Sequence, residues 1–164
     1  GFGLARTAPE RIAALILGGT SPYFTEEDRT SRRKWSNEEI QSLKNQTAED
    51  FVKGLEQYIS SINLPSLSPK MHAALLKHNP RALIAWHNAI VDYPDFKENL
   101  PGMTMPCLLY CGEHDWPEVA QRASLEMPDA KFIRIPGGLH LEGGNWIENL
   151  RPEILKVTNL TMSH

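Results

Sequence analysis

The sequence predicts an α/β fold of three parallel strands with flanking helices and a helical cap insertion. Three observations carry that expectation. Apolar runs of strand length end at glycines: residues 12–17 before Gly18-Gly19, 107–111 before Gly112, and 131–135 before Pro136-Gly137-Gly138. Helix-patterned segments separate these runs, and strands that alternate with helices form parallel sheets with right-handed crossovers. The stretch of about 70 residues between the first two runs is mostly helical in pattern. That is far more than a crossover needs, so it reads as an insertion.

The elements follow in order. Residues 1–8 read as the tail of a helix closed by Pro9. The first two strand runs are almost continuously apolar, as in strands covered on both faces, whereas the third alternates as an edge strand does. Within the insertion, Ser36-Asn37-Glu38-Glu39 has the form of a capping box, which predicts a helix start at Ser36. A helix over 48–60 carries Phe51, Leu55 and Ile59 on one stripe. Ser68-Pro69 and Asn79-Pro80 each pair an N-cap with a proline at the first helical position, predicting helices over 69–78 and 80–91. Helices over 117–126 and 146–157 complete the chain, the last broken near Pro152. The expected division is a core part formed by 1–23 and 92–164, with 24–91 as a cap or lid.

Composition bounds what such a chain does. Its 164 residues suffice for one domain with a real core. The balance of 41% hydrophobic and 23% charged residues argues against disorder, and the net charge of -3 against a nucleic-acid binder. No apolar run reaches the length of a membrane span. Cys107 and Cys111 lie on one strand run, four residues apart and too distant along an extended chain to bond each other. Two cysteines are also too few for a metal framework, so a reducing, cytoplasmic setting is expected and no metal. The chain lacks an initiator methionine and a signal peptide, so it reads as part of something longer or a processed product.

Active sites of parallel sheets form at the carboxyl ends of strands. Gly112-Glu113-His114-Asp115-Trp116-Pro117 follows the second run and Gly137-Gly138-Leu139-His140 the third. An acid after one strand and a histidine after the next suit a nucleophile–acid–base set, in which the carboxylate holds one ring nitrogen and frees the other as base. Asp115 could instead cap the helix that opens near Pro117, and His140 could be a plain loop histidine.

The segment 100–115, in which Pro106 precedes an apolar strand ending in Gly112-Glu113-His114-Asp115, resembles the approach to the acid in the α/β-hydrolase family. Pro136-Gly137-Gly138-Leu139-His140 is similar to that family's histidine loop, and 8–17 to the helix-to-strand step after its nucleophile elbow. The resemblance covers 1–23 and 94–160, and is weak over the cap. It implies a partial α/β-hydrolase fold and an esterase-like hydrolase, with Asp115 and His140 as catalytic residues and no cofactor. It also implies a gap: no Gly-x-Ser-x-Gly elbow occurs in this sequence. The nucleophile is therefore expected outside these residues, and the chain alone is expected to be inactive. Ser21 is only a weak in-chain candidate, lacking the sharp glycine-flanked turn.

Tyr23, Trp35, Trp86 and Trp116 are candidate substrate-binding residues for a small molecule, Trp116 foremost because it follows Asp115. His72, His78 and His87 read as ordinary helix residues, His114 as a loop residue, and Glu142 as exposed. With half a sheet, the first strand would offer an unpaired apolar edge. Self-association, or pairing with a chain that carries the N-terminal half, is expected. The rival reading is an inert fragment or binding module derived from a hydrolase.

Overall fold

The computed structural model describes residues 1–64, 66–140 and 146–161; Glu142 lies outside them. Three strands, β1 (Leu15–Gly18), β2 (Cys107–Gly112) and β3 (Ala130–Ile135), form one sheet in the order β1-β2-β3. Both pairings are parallel, with Leu15 opposite Cys107 and Gly112 opposite Ile135. The helices are α1 (Phe2–Thr7), α2 (Glu26–Leu43), α3 (Ala48–Ser61), α4 (Pro69–Leu75), α5 (Pro80–Val91), α6 (Pro117–Leu125) and α7 (Trp146–Thr161).

The chain divides into two compact units, one of residues 1–23 and 95–164, the other of 24–94. The first holds the sheet. β2 is central, and Leu108 and Leu109 on it are essentially inaccessible, with Ile135 of β3 and Phe2, Phe96, Leu100 and Met103 completing the core. Helices α6 and α7 pack on β2 and β3. β3 is an edge strand, but it does not alternate as expected: the exposed Lys131 and Arg134 stand three residues apart, on opposite faces of the strand, and Ile135 is buried.

β1 departs from expectation twice. It starts at Leu15 rather than residue 12, because its ladder begins where the Leu15 N–H donates to the Pro106 carbonyl, just before β2 opens. Nor is it covered on both faces: Leu15 and Leu17 are buried, but Ile16 is 39% exposed. Pro152 does not break α7, which runs on to Thr161. A proline whose missing N–H costs one bond of a long ladder need not end it.

The second unit is helical. Its first helix opens at Thr25, not at Ser36. The Thr25 side chain accepts from the Asp28 N–H, while the Asp28 carboxylate accepts from the Thr25 hydroxyl at 2.8 Å and from the Thr25 N–H at 2.9 Å, two bonds that hold this carboxyl below its ordinary pKa. No glycine or proline lies between Glu26 and Leu43. A helix nucleated at Thr25 therefore propagates through Ser36, whose own pattern is never used as a cap. Ser36 is instead fully buried mid-helix. Thr47 and Asp50 form a second reciprocal box ahead of α3. That helix buries Val52 and Ile59, while Phe51 and Leu55 of the expected stripe are half-buried. Ser68 and Asn79 cap α4 and α5 as expected, although α4 ends at Leu75, short of residue 78. The Asn79 Oδ1 accepts from the Arg81 N–H at 2.9 Å. Replacing Asn79 by alanine is expected to cost about 0.5–2 kcal/mol, read as a lower denaturant midpoint of the transition that reports α5.

Candidate active site

The register brings the two candidate catalytic loops together. Because Gly112 pairs with Ile135, the β2 and β3 strands end level, and the loops that follow leave the sheet side by side. After β2 the chain turns at once, with the Asp115 N–H donating to the Gly112 carbonyl at 3.1 Å. After β3 it turns through Gly137, whose φ of 65° lies in the left-handed region that glycine adopts without strain. Five residues beyond Ile135 stands His140.

The His140 Nδ1–H donates to the Asp115 Oδ2 at 2.8 Å. A carboxylate can only accept, so this bond puts the ring proton on Nδ1 and leaves Nε2 with its lone pair free. The Asp115 side chain is 3% exposed and that of His140 51% exposed, so the acid is enclosed while the ring reaches the surface of its unit. The hydrogen bond to Asp115 raises the His140 pKa above its ordinary 6.5, partly opposed by desolvation and reinforced by the carboxylate charge. Helix α6 opens at Pro117 without a side-chain cap bond.

Two neighbours that sequence reasoning passed over support this pair. The Cys111 thiol donates to the same Asp115 oxygen at 3.4 Å; burial, with the Asp115 charge, pushes this thiol up to about 11. Residues i and i+4 around a sharp strand-end turn can meet, and that spacing was the available signal. Gly19, at φ 55°, packs its backbone beneath the pair: a Cβ there would lie 3.2 Å from the His140 ring and 3.5 Å from Asp115 Oδ2. Its signal was the Gly18-Gly19 pair closing β1.

Of the expected substrate-binding residues, Trp116 joins the pair, its ring centroid 5.5 Å from that of His140 and the residue 61% exposed. Tyr23 belongs to the same unit, under the Arg122 guanidinium at 4.5 Å. Its hydroxyl is buried, and burial, with a hydrogen bond to Glu126 and the charge of that carboxylate, pushes it up to about 12. Trp35 and Trp86 lie in the helical unit, each with its ring centroid 4.9 Å from that of His87. His87 is more than an ordinary surface helix residue: it is buried, and that burial lowers its pKa against the raising effect of Glu39. His72 lies 3.6 Å from Glu56, and His114 is exposed, its N–H donating to the Gly138 carbonyl. Ser21 makes a local turn, its Oγ accepting from the Tyr23 N–H at 3.0 Å. Cys107 and Cys111 are both buried and free. Among the described residues, no group of three or more His, Cys, Asp or Glu side chains is placed to hold a metal, and no helix is long and apolar enough to cross a membrane.

No family model matches the chain. It is 27% identical over 158 residues to the pimeloyl-[acyl-carrier protein] methyl ester esterase of Citrobacter koseri, a match covering 82% of this chain and 60% of that protein. The protein of the same name from Yersinia enterocolitica is 26% identical over 154 residues, covering 84% and 56%. Among solved structures, MenH from S. aureus aligns with a TM-score of 0.76 at 21% identity, covering 98% of this chain and 64% of that one. The chain thus spans less than two thirds of the length of each of these relatives.

Proposed function

We propose, from the premise that this chain is a partial α/β-hydrolase fold, that it carries the acid and base of a carboxylic-ester hydrolase. The observation that carries this reading is the 2.8 Å bond from His140 to the enclosed Asp115, with Nε2 left free. Both curated relatives are named as methyl ester esterases, which supports the ester as the bond attacked.

In this reading a nucleophile from outside residues 1–164 attacks the acyl carbon, and His140 Nε2 takes its proton. The new bond to carbon forms as the alkoxy oxygen leaves, carrying away that same proton. Water then attacks the acyl intermediate, giving its proton to His140; as the bond between the acyl carbon and the nucleophile breaks, His140 returns that proton to the nucleophile and the acid is released. Asp115 keeps the ring in the correct tautomer and stabilises the imidazolium, and no step draws on a cofactor. Trp116 supplies an apolar wall beside the base, and Tyr23, Trp35 and Trp86 are further candidates for contact with a small-molecule substrate. The half-exposed edge strand β1 supports pairing through that edge, with a second copy or with a chain that supplies the nucleophile. Two free, buried thiols suit a reducing cytoplasm.

A fluorophosphonate, which labels activated serines, tests where the nucleophile lies. Intact-mass spectra are expected to show no adduct on the 164-residue chain and an adduct on the polypeptide that completes it. An adduct on this chain would overturn the external nucleophile and direct attention to Ser21.

A further inference from the structure

Glu113 stands outside the acid–base pair, yet its side chain reaches the loop that carries His140. Its Oε2 accepts the Gly137 N–H at 2.9 Å. Main-chain bonds flank this contact: the Glu113 N–H donates to the Ile135 carbonyl at 3.0 Å, and the His114 N–H to the Gly138 carbonyl at 3.0 Å. Positions 135 and 138 are thus pinned by backbone, and the left-handed residue between them is pinned by Glu113. We propose that Glu113 is a positioning residue, which locks the turn at Gly137 so that His140, three residues on, meets Asp115. This rests on the reading of that pair as acid and base given above.

The physical case is one of geometry more than energy. A carboxylate accepting a backbone N–H makes a strong, directional bond, but Glu113 is exposed, so the bond adds little to global stability. Catalytic groups, by contrast, must be held to within about 0.5 Å of their working geometry. The turn is also the only link between β3 and His140 along the chain. Glu113 is not among the groups that raise the His140 pKa directly, so an effect of its removal on His140 would run through the loop.

The test is a pH titration of the His140 ring nitrogens by long-range proton–nitrogen NMR, with circular dichroism to check folding. Glu113→Ala is expected to shift the His140 pKa down toward 6.5 and to abolish the low-field Nδ1–H signal, with near-native circular dichroism. Glu113→Gln keeps an acceptor oxygen at the same reach and is expected to preserve both. Glu113→Asp, one methylene short, is expected to behave like alanine and serves if the alanine variant does not fold. Parent-like titration of the alanine or aspartate variant overturns the proposal. So does an equal fall in the alanine and glutamine variants, which would mean that charge acts and not the hydrogen bond. Asp115→Asn separates the two levels. If it lowers the His140 pKa while Glu113→Ala does not, only the positioning role fails; if it has no effect, the pair itself fails.

Discussion

Replacing His140 by alanine is expected to lower kcat for ester hydrolysis by about 10⁶-fold in the completed enzyme, and Asp115→Asn by about 10⁴-fold. The two differ in cause. The alanine variant has no base. The asparagine variant keeps a base but can donate to Nδ1, which favours the tautomer with its proton on Nε2, where a lone pair is needed. Both changes should leave KM nearly unaltered, because neither group binds the substrate in its ground state. Unchanged turnover in either variant would sink the proposed acid–base role.

The pH dependence follows from the raised His140 pKa. Only the neutral ring accepts a proton, so turnover should fall as pH drops through the folded-state pKa, with the acid limb centred above 6.5. Stability runs the other way. A histidine whose folded pKa is raised contributes stability that is fully present below its unfolded pKa and is lost as pH rises through its folded pKa. Because the His140 side chain is 51% exposed, solvent screening keeps that contribution small. A pH–rate profile checks the first statement, and denaturant midpoints across the same pH range check the second.

Gly112→Ala is expected to damage fold and site together. A Cβ at that position would overlap the Gly138 carbonyl group and lie 3.0 Å from the Leu139 carbonyl oxygen. These are backbone atoms, which cannot swing aside as a side-chain end does. Overpacking of this kind costs about 1–3 kcal/mol or more, which for a chain of this size lowers Tm by roughly 2–4 °C per kcal/mol. The strain would be relieved by parting the two loops, so the His140 pKa should fall as well. Gly102, whose Cβ would meet nothing within 4 Å, is the matched control. Gly102→Ala should stay within about 0.5 kcal/mol of the parent. A Gly112→Ala chain as stable as that control would show that the loops have slack.

The strands, their parallel order and the residues after them were legible because each rests on a short local pattern. Apolar runs closed by glycine mark strand ends, and Asp115 and His140 follow such ends. The caps show where local patterns compete. Ser36-x-x-Glu39 and Thr25-x-x-Asp28 both have the capping form, and which one opens the helix depends on where an unbroken run begins. The pattern at Thr25 was there to be read. By contrast, nothing local announces that Ile16 on β1 is half-exposed while Leu108 on β2 is sealed. Apolar sequence alone does not distinguish an edge strand from a central one; what lies beside each strand does.

The sequence by itself determined which elements form and which side chains stand at the carboxyl ends of the strands, since propensity and turn chemistry act over a few residues. Tertiary structure alone decided that Asp115 meets His140 and that Glu113 grips the Gly137 turn. Those contacts join loops from different strands. They exist because the β2–β3 register sets Gly112 level with Ile135, and a register is a property of two segments paired in space, which neither segment encodes alone.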